Sequence, residues 1–529
     1  MDGFPRIVRS LSNRTKFLLG LSQFLNHPIT GEYARQTIAR RLEQREENFI
    51  RFMDRCIFSH AASPYLPLLR QAGCSFSDVI SEVKKQGVEG LLKALKDSGV
   101  WISADEYKGL KPVRRGNFEQ LFRADAFDNP NKAGSWGTHS GGSSGRPIQS
   151  HLYLDTLAER ACYDHLMFTT LDLHDTPLAV WYPTLPGTVG ISNVLRYCKI
   201  GRPPQRWFRL LTDEVAPIGF DSRLANRAIL LSSRFSKVKI PNPEPLDLDQ
   251  ADVVVDWILD MLDKHGKAAM QTYVSQAVRV CVAASGRGLD LEGTVFIVGS
   301  EALTKAKFQQ IRSVNGRVFP RYMASELGSI GMGCGEAADA DDYHLLSDMI
   351  AMIQDGGGRP EDEPRPLYFT TFVGSVPKVL LNAEIGDTGL VTRKACGCTF
   401  GEIGLDTHVS RIRNYAQTSA EGMSMGIAVL RRIVEEVLPA RHGGSPLDYQ
   451  WVESEDDSAF TKLTLRVHPR IGPLDHAKMT EDVLAEMGRH DQFSRRYAET
   501  WRQAGSMHIE RVPPELTQGG KLVPFLRAS

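Results

Sequence analysis

The chain has 529 residues, with 63 Lys and Arg balanced by 63 Asp and Glu, 42% hydrophobic residues and 8% aromatics. This length and apolar content support a large buried core spread over several domain-sized units. Zero net charge with this apolar content excludes whole-chain disorder, and it argues against a dedicated nucleic-acid binder, which needs a basic excess to offset phosphate.

No run approaches the roughly 20 apolar residues of a membrane-spanning helix; the most apolar, Val253–Leu262, is broken by Asp256 and Asp260. Met1–Gly20 carries Arg6, Arg9, Arg14 and Lys16 without a continuous apolar segment, so no secretory signal is expected. The 8 cysteines are sparse. Cys56, Cys74, Cys162, Cys198 and Cys281 stand alone, as thiols do in a reducing cytoplasm, which is the expected location.

In chain order, the N-terminal segment reads as helical. Ala34–Phe58 has apolar residues at helical spacing and no glycine-rich break, and Phe76–Leu92 continues the pattern. Asn129–Arg146 is dense in Gly, Ser and Asn, the composition of a flexible connection. Beyond it, Pro177–Tyr182 and Phe235–Ile240 are expected as strands, and Gln250–Lys264 and Ala268–Ser285 as helices. Thr294–Gly299 is a β-branched apolar run ending in glycine, the pattern of a buried parallel strand that opens into a loop. Helices alternating with such strands predict an α/β architecture with ligands at the strand C-termini.

After residue 414 the character changes. Gly426–Leu438 is an amphipathic helix, Thr461–Val467 alternates as a half-buried strand, Leu474–Glu486 is a helix and Met507–Val512 a strand. The expected organisation is a large body over 1–413, whose first 125 residues form a helical leader, and a small α+β unit over 414–529.

Two constellations carry chemistry. The first is Ser140-Gly-Gly-Ser-Ser-Gly-Arg-Pro147. Its glycines allow close backbone approach and successive N–H groups form an anion nest. The hydroxyls of Ser140, Ser143 and Ser144 add donors and Arg146 a fixed charge, a combination suited to a polyphosphate. The Walker A spacing is absent. Gly141–Gly145 also matches the hydrolase elbow around Ser143, but that turn needs an apolar strand before it, and Asn129–His139 is polar.

The second is Cys396-Gly-Cys398 with Cys334 and His344. Three thiols and an imidazole make a complete tetrahedral zinc set with no open position; the competing reading is a set of incidental thiols. His139 and His408 are expected to be structural.

Taken in order, the motifs resemble those of the adenylate-forming superfamily. The Ser/Gly-rich loop ends in Gly-Arg-Pro where that family has Gly-Lys-Pro. Gly299-Ser-Glu-Ala302 is similar to its adenine-pocket Gly-Ala-Glu-Pro, and Tyr322-Met-Ala-Ser-Glu326 to its Tyr-Gly-x-(Ser/Thr)-Glu. Asn382-Ala-Glu-Ile-Gly-Asp387 matches its ribose-binding Thr-Gly-Asp segment, with Asn-Ala in place of Arg-Tyr. Ile412-Arg413-Asn414 matches the Gly-Arg-x-Asp segment before its hinge, and Gly519-Gly-Lys521 its C-terminal Gly-Lys. Within the superfamily, the helical leader and the Cys-x-Cys after Asp387 are most similar to the phenylacetate–CoA ligase branch.

The resemblance implies ATP-dependent conversion of a small carboxylic acid to acyl-AMP and pyrophosphate. Acyl transfer to a thiol of CoA or of carrier-protein phosphopantetheine follows. Competing readings are transfer to an amine, a protein cysteine or a reductase, or a non-catalytic nucleotide- or acyl-binding subunit of the same fold. ATP would be held by Ser140, Ser143, Ser144, Gly145, Arg146, Ser300, Glu301, Ala302, Tyr322, Ser325 and Asp387. Glu326 would hold Mg²⁺ and, with Arg413 and Lys521, form the catalytic set. By the same resemblance Cys334, His344, Cys396 and Cys398 hold a structural zinc, and the unit beyond Arg413 is a mobile lid. Trp181-Tyr182-Pro183 and Thr188–Tyr197 are candidates for the acyl pocket. Neither nucleic acid nor membrane is an expected partner, and a homodimer is compatible with this reading.

Overall fold

The structure is a computed structural model and describes residues 3–132, 135–140, 148–211, 218–337, 340–354, 363–372, 374–489, 492–516 and 522–528. The N-terminal helices Gly3–Asn26, Gly31–Glu43, Arg45–Phe52 and Phe76–Asp97 pack their apolar faces into the main core. Thr30 caps the second of these by accepting the N–H of Tyr33, and Ser75 with Asp78 forms a capping box on the last. The single helix expected over Ala34–Phe58 is broken at Gln44, and beyond Phe52 it widens into a π-turn to Phe58. Two arginines flank the break: Arg41 Nε lies 2.8 Å from Asp348 Oδ2, and Arg45 Nε donates to Ser347 O at 2.6 Å.

The centre is a mixed sheet of 12 strands among the described residues. Its parallel half runs Pro243–Leu246, Arg206–Leu210, Leu178–Trp181, Ala268–Tyr273, Thr294–Gly299, Arg317–Ala324. There the direction reverses. Gly328–Gly333, Tyr343–Leu345, Thr407–Asn414, Ala383–Arg393, Arg365–Thr371 and Ile350–Gln354 continue the sheet with antiparallel pairings. Thr294–Gly299 is buried at every residue, as its composition requires of a strand covered on both faces.

Two expectations are corrected. Ala268–Ser285 is not one helix but a strand, Ala268–Tyr273, followed by a helix, Val274–Gly286. Every residue of that strand is buried, so it lacks the alternation that would separate it from a buried helix. Phe235–Ile240 forms no strand. Phe235 is 87% exposed just beyond the helix Phe220–Ser233, and the edge strand is Pro243–Leu246, where proline is tolerated because one side makes no ladder. The Gly/Ser-rich stretch contains part of a hairpin: Ser135–Ser140 pairs antiparallel with Ile148–Tyr153.

Buried apolar residues form two clusters, one from Phe17 to Met423 and another from Ala420 to Trp501. The second lies on a sheet ordered Met507–Glu510, Thr461–Val467, Tyr449–Glu455, Phe525–Arg527, covered by His476–Met487 and Gln492–Ala504. Thr461–Val467 is buried at every second residue, as its alternation predicts. No described helix is long and apolar enough to cross a membrane.

Candidate active site

A cavity of about 340 Å³ opens where the parallel strands end and the sheet reverses. Residues from distant motifs converge on it: Ser300, Glu301 and Ala302 after the Thr294–Gly299 strand, Tyr322, Ser325 and Glu326 at the reversal, and Asp387 with Asn414 from neighbouring strands. Glu326 lies on the turn between Arg317–Ala324 and Gly328–Gly333, which places its carboxylate at the strand C-termini.

Asp387 is held from two sides. The Tyr322 hydroxyl donates to its Oδ2, and Asn414 Nδ2 donates to Oδ1 at 2.8 Å. Cross-strand register aligns Asp387 with Asn414. Gly386 makes this possible: its φ is 96°, and a Cβ there would lie 3.1 Å from the Ala416 Cβ and 3.2 Å from Asn414 Oδ1. Burial pushes the Asp387 carboxyl up to about 6, opposed by the two donors and reinforced by the negative charge of Glu326.

Glu301 takes another orientation. Its fully buried carboxylate accepts from Ser275 Oγ at 2.5 Å and lies 3.8 Å from Lys307 Nζ. Burial raises its pKa, while Lys307 and Ser275 favour the ionised form. Lys307 also donates to Thr461 Oγ1 at 2.9 Å and lies 3.6 Å from Glu455, so it joins the body to the C-terminal sheet. The hairpin Gln417–Ala420/Met423–Gly426 makes a second join, with Glu421 Oε1 2.7 Å from Arg279 Nη2. Gln417, Ser419, Gly422, Met423 and Ser424 of this segment, with Arg496 and Tyr497, line the cavity from the C-terminal side.

Arg413 does not line the cavity. It alternates outward between Ile412 and Asn414, is 48% exposed and lies 3.3 Å from Asp341. Ser143, Ser144, Gly145, Arg146 and Lys521 lie outside the described residues, as does the side chain of Ser140. Of the acyl-pocket candidates, Pro183, Thr188, Val189 and Ser192 line the cavity, whereas Trp181 is buried within the sheet.

Cys334, His344, Cys396 and Cys398 come together with their four donor atoms all within 4.8 Å of one another. Cys398 Sγ is 3.1 Å and Cys396 Sγ 3.7 Å from His344 Nε2, and the Cys334 and Cys396 sulfurs are 3.2 Å apart. His344 Nδ1 is 2.6 Å from Leu405 O; donation there leaves Nε2 as the lone pair facing the thiols. The N–H groups of Glu336 and Cys398 donate to the sulfurs of Cys334 and Cys396. Hydrogen bonding from Cys334 and the neighbouring His344 favour the Cys398 thiolate, the form a metal binds. His408 is buried beside this group, with Nδ1 2.7 Å from Asp342 Oδ1.

No protein-family model and no curated protein matches the sequence. Among solved structures, the chain is similar to an amide bond synthetase from Marinactinospora thermotolerans, with 10% identity over 90% of this chain and 92% of that one and a TM-score of 0.41. It is similar to o-succinylbenzoate CoA synthetase from Bacillus subtilis, with 13% identity over 73% of this chain and 67% of that one and a TM-score of 0.40. It is also similar to an acyl-CoA synthetase (AMP-forming)/AMP-acid ligase II-like protein from Dyadobacter fermentans, with 14% identity over 73% of this chain and 87% of that one and a TM-score of 0.28.

Sequence reasoning missed Arg160, Arg321, Lys307 and Glu421. Each is one charged residue inside a helix, strand or turn, and only the packing of distant elements brings it to the cavity or to its walls.

Proposed function

We propose that this protein is an adenylate-forming enzyme, an acid–thiol ligase that activates a carboxylic acid with ATP. The observation that carries the reading is the convergence of the ordered motifs. Ser300–Ala302, Tyr322–Glu326, Asp387 and Asn414 share one cavity at the C-terminal ends of a parallel sheet, where α/β proteins bind ligands.

A carboxylate oxygen of the acid attacks the α-phosphorus of ATP and pyrophosphate leaves, giving acyl-AMP. A thiol then attacks the acyl carbon and AMP leaves. The first step needs alignment and charge neutralisation more than proton transfer. Asp387, aimed by Tyr322 and Asn414, accepts from the ribose hydroxyls. Glu326 would hold Mg²⁺, which neutralises phosphate charge when bound. The 141–147 loop with Arg146, and Lys521, supply further positive charge. The acceptor thiol belongs to CoA or to carrier-protein phosphopantetheine. The unit over 414–529 serves as the lid, docked through Glu421–Arg279 and Lys307.

Cys334, His344, Cys396 and Cys398 fit zinc: the donor set is complete, His344 is oriented by Leu405 O, and the sulfurs accept backbone N–H groups. A metal there would cross-link two chain segments, a structural role of the kind found in the phenylacetate–CoA ligase branch. Carboxylate-dependent ATP–pyrophosphate exchange with a panel of aryl and alkyl acids tests the reading. Exchange with at least one acid is expected; ATP binding without exchange for any acid refutes it in favour of a non-catalytic subunit.

A further inference from the structure

Arg160 is a half-buried guanidinium with no counter-ion among the described residues. It projects from the helix Leu154–Thr170, lines the cavity, and donates from Nη2 to Leu327 O at 2.7 Å. It forms no ion pair among the described residues. Glu159, its neighbour in sequence, is taken by Arg41 at 3.4 Å and by Ser375.

The surroundings add positive charge. Arg196 Nε is 3.1 Å from Asp164 Oδ2, and Arg321 Nη2 is 3.3 Å from Asp164 Oδ1, so one fully buried carboxylate serves two fully buried guanidiniums. Asn193 Oδ1 accepts from both of these arginines. Arg196 and Arg321 each act on Arg160 as like charges. Withdrawing a guanidinium from water without a partner is costly, and a ligand anion removes that cost.

The chain makes specific room for this group. Gly328 has a φ of 77°, and a Cβ there would lie 1.9 Å from the Arg160 Cζ, so the guanidinium rests against bare backbone. Asn193 and Arg196 lie on the helix Thr188–Lys199, whose Thr188, Val189 and Ser192 line the cavity.

We propose that Arg160 binds a second carboxylate of the acid substrate, so that the substrate class is dicarboxylic rather than simple alkyl or aryl monoacids. This rests on the adenylation reading and narrows it. The remote carboxylate completes the unpaired guanidinium, and an acid lacking it leaves Arg160 half-buried and unpaired. Such sites discriminate strongly against the truncated analogue.

The test is isothermal titration of matched pairs, phthalate against benzoate and succinate against butyrate, on the wild-type chain, Arg160→Gln and Arg160→Lys, with ATP titrated separately. At least one diacid is expected to bind about tenfold or more tighter than its monoacid. Arg160→Gln should bring that ratio close to one and leave the ATP affinity unchanged, while Arg160→Lys, which keeps the charge, should retain part of the preference.

No diacid preference in the wild type, or a preference that survives Arg160→Gln, overturns the proposal. So does a loss of ATP affinity in Arg160→Gln without an effect on acids, which would assign the site to a phosphate. Pyrophosphate exchange separates the two readings: a diacid that binds through Arg160 but supports no exchange refutes adenylation and leaves the anion site standing. Exchange with monoacids alone does the reverse.

Discussion

The cavity and the Cys334–His344–Cys396–Cys398 cluster are built at opposite ends of the same strands. Gly328–Gly333 begins beside Glu326 and ends at Cys334. Ala383–Arg393 carries Asp387 near its start and leads to Cys396, and Thr407–Asn414 runs from the buried His408 to Asn414. At one end the polar groups line an open cavity; at the other four donor atoms face one another. On the proposed function, the difference separates a place where ligands come and go from one where a metal would pin the chain. A metal bound there would tie the ends of Gly328–Gly333 and Ala383–Arg393 to Tyr343–Leu345, far along the strands from the aligned pair Asp387 and Asn414.

The largest effect should come from the open end. Glu326→Gln keeps size and removes charge, and it is expected to depress carboxylate-dependent pyrophosphate exchange by about 100-fold or more without lowering the melting temperature. Equal activity would remove Glu326 from the chemistry. The pinned end should respond in the opposite manner. Purified protein is expected to contain one zinc per chain, and chelation or Cys398→Ser should lower the melting temperature by about 5 °C or more. Some loss of ATP affinity should accompany it, because the strand that carries Asp387 loses its anchor. Metal content far below one per chain in protein never exposed to chelator would refute the site.

A smaller, pH-dependent effect distinguishes the ends further. Burial raises the Asp387 carboxyl to about 6, so the folded state holds this proton more tightly than the unfolded chain does. The stability it contributes is present at low pH and lost as pH rises through about 6. On the role proposed for Asp387, accepting ribose hydroxyls favours the ionised form, so ATP affinity should rise over the same interval, by about tenfold between pH 5 and 7. Asp387→Asn should abolish both trends; a pH profile unchanged in that variant would assign the titration elsewhere.

Legibility in the sequence followed the physics of each signal. Thr294–Gly299 and Thr461–Val467 were readable because full burial and half burial leave different patterns. Ala268–Tyr273 was not, since a short buried strand running directly into a helix offers no change of period. The cavity residues at 300–302, 322–326 and 387 were legible through motif order alone, and the Cys/His set through its chemistry. Arg160 left no trace, because an arginine in mid-helix is ordinary until Gly328 and Leu327 arrive against it from 167 residues away.

Arg413 gives the smallest expected effect and the sharpest contrast with its neighbours. Ile412 and Asn414 line the cavity, so strand alternation turns the intervening side chain outward. Its partner Asp341 is reached at 3.3 Å, but Arg413 is 48% exposed. Such solvent-accessible pairs contribute between nothing and about 1 kcal/mol. In this arrangement of C-terminal unit and body, Arg413→Ala is therefore expected to change exchange activity by about fivefold at most. A loss as large as that of Glu326→Gln would show that the C-terminal unit adopts a second arrangement during adenylation, one that carries Arg413 from the outer face of its strand to the phosphates.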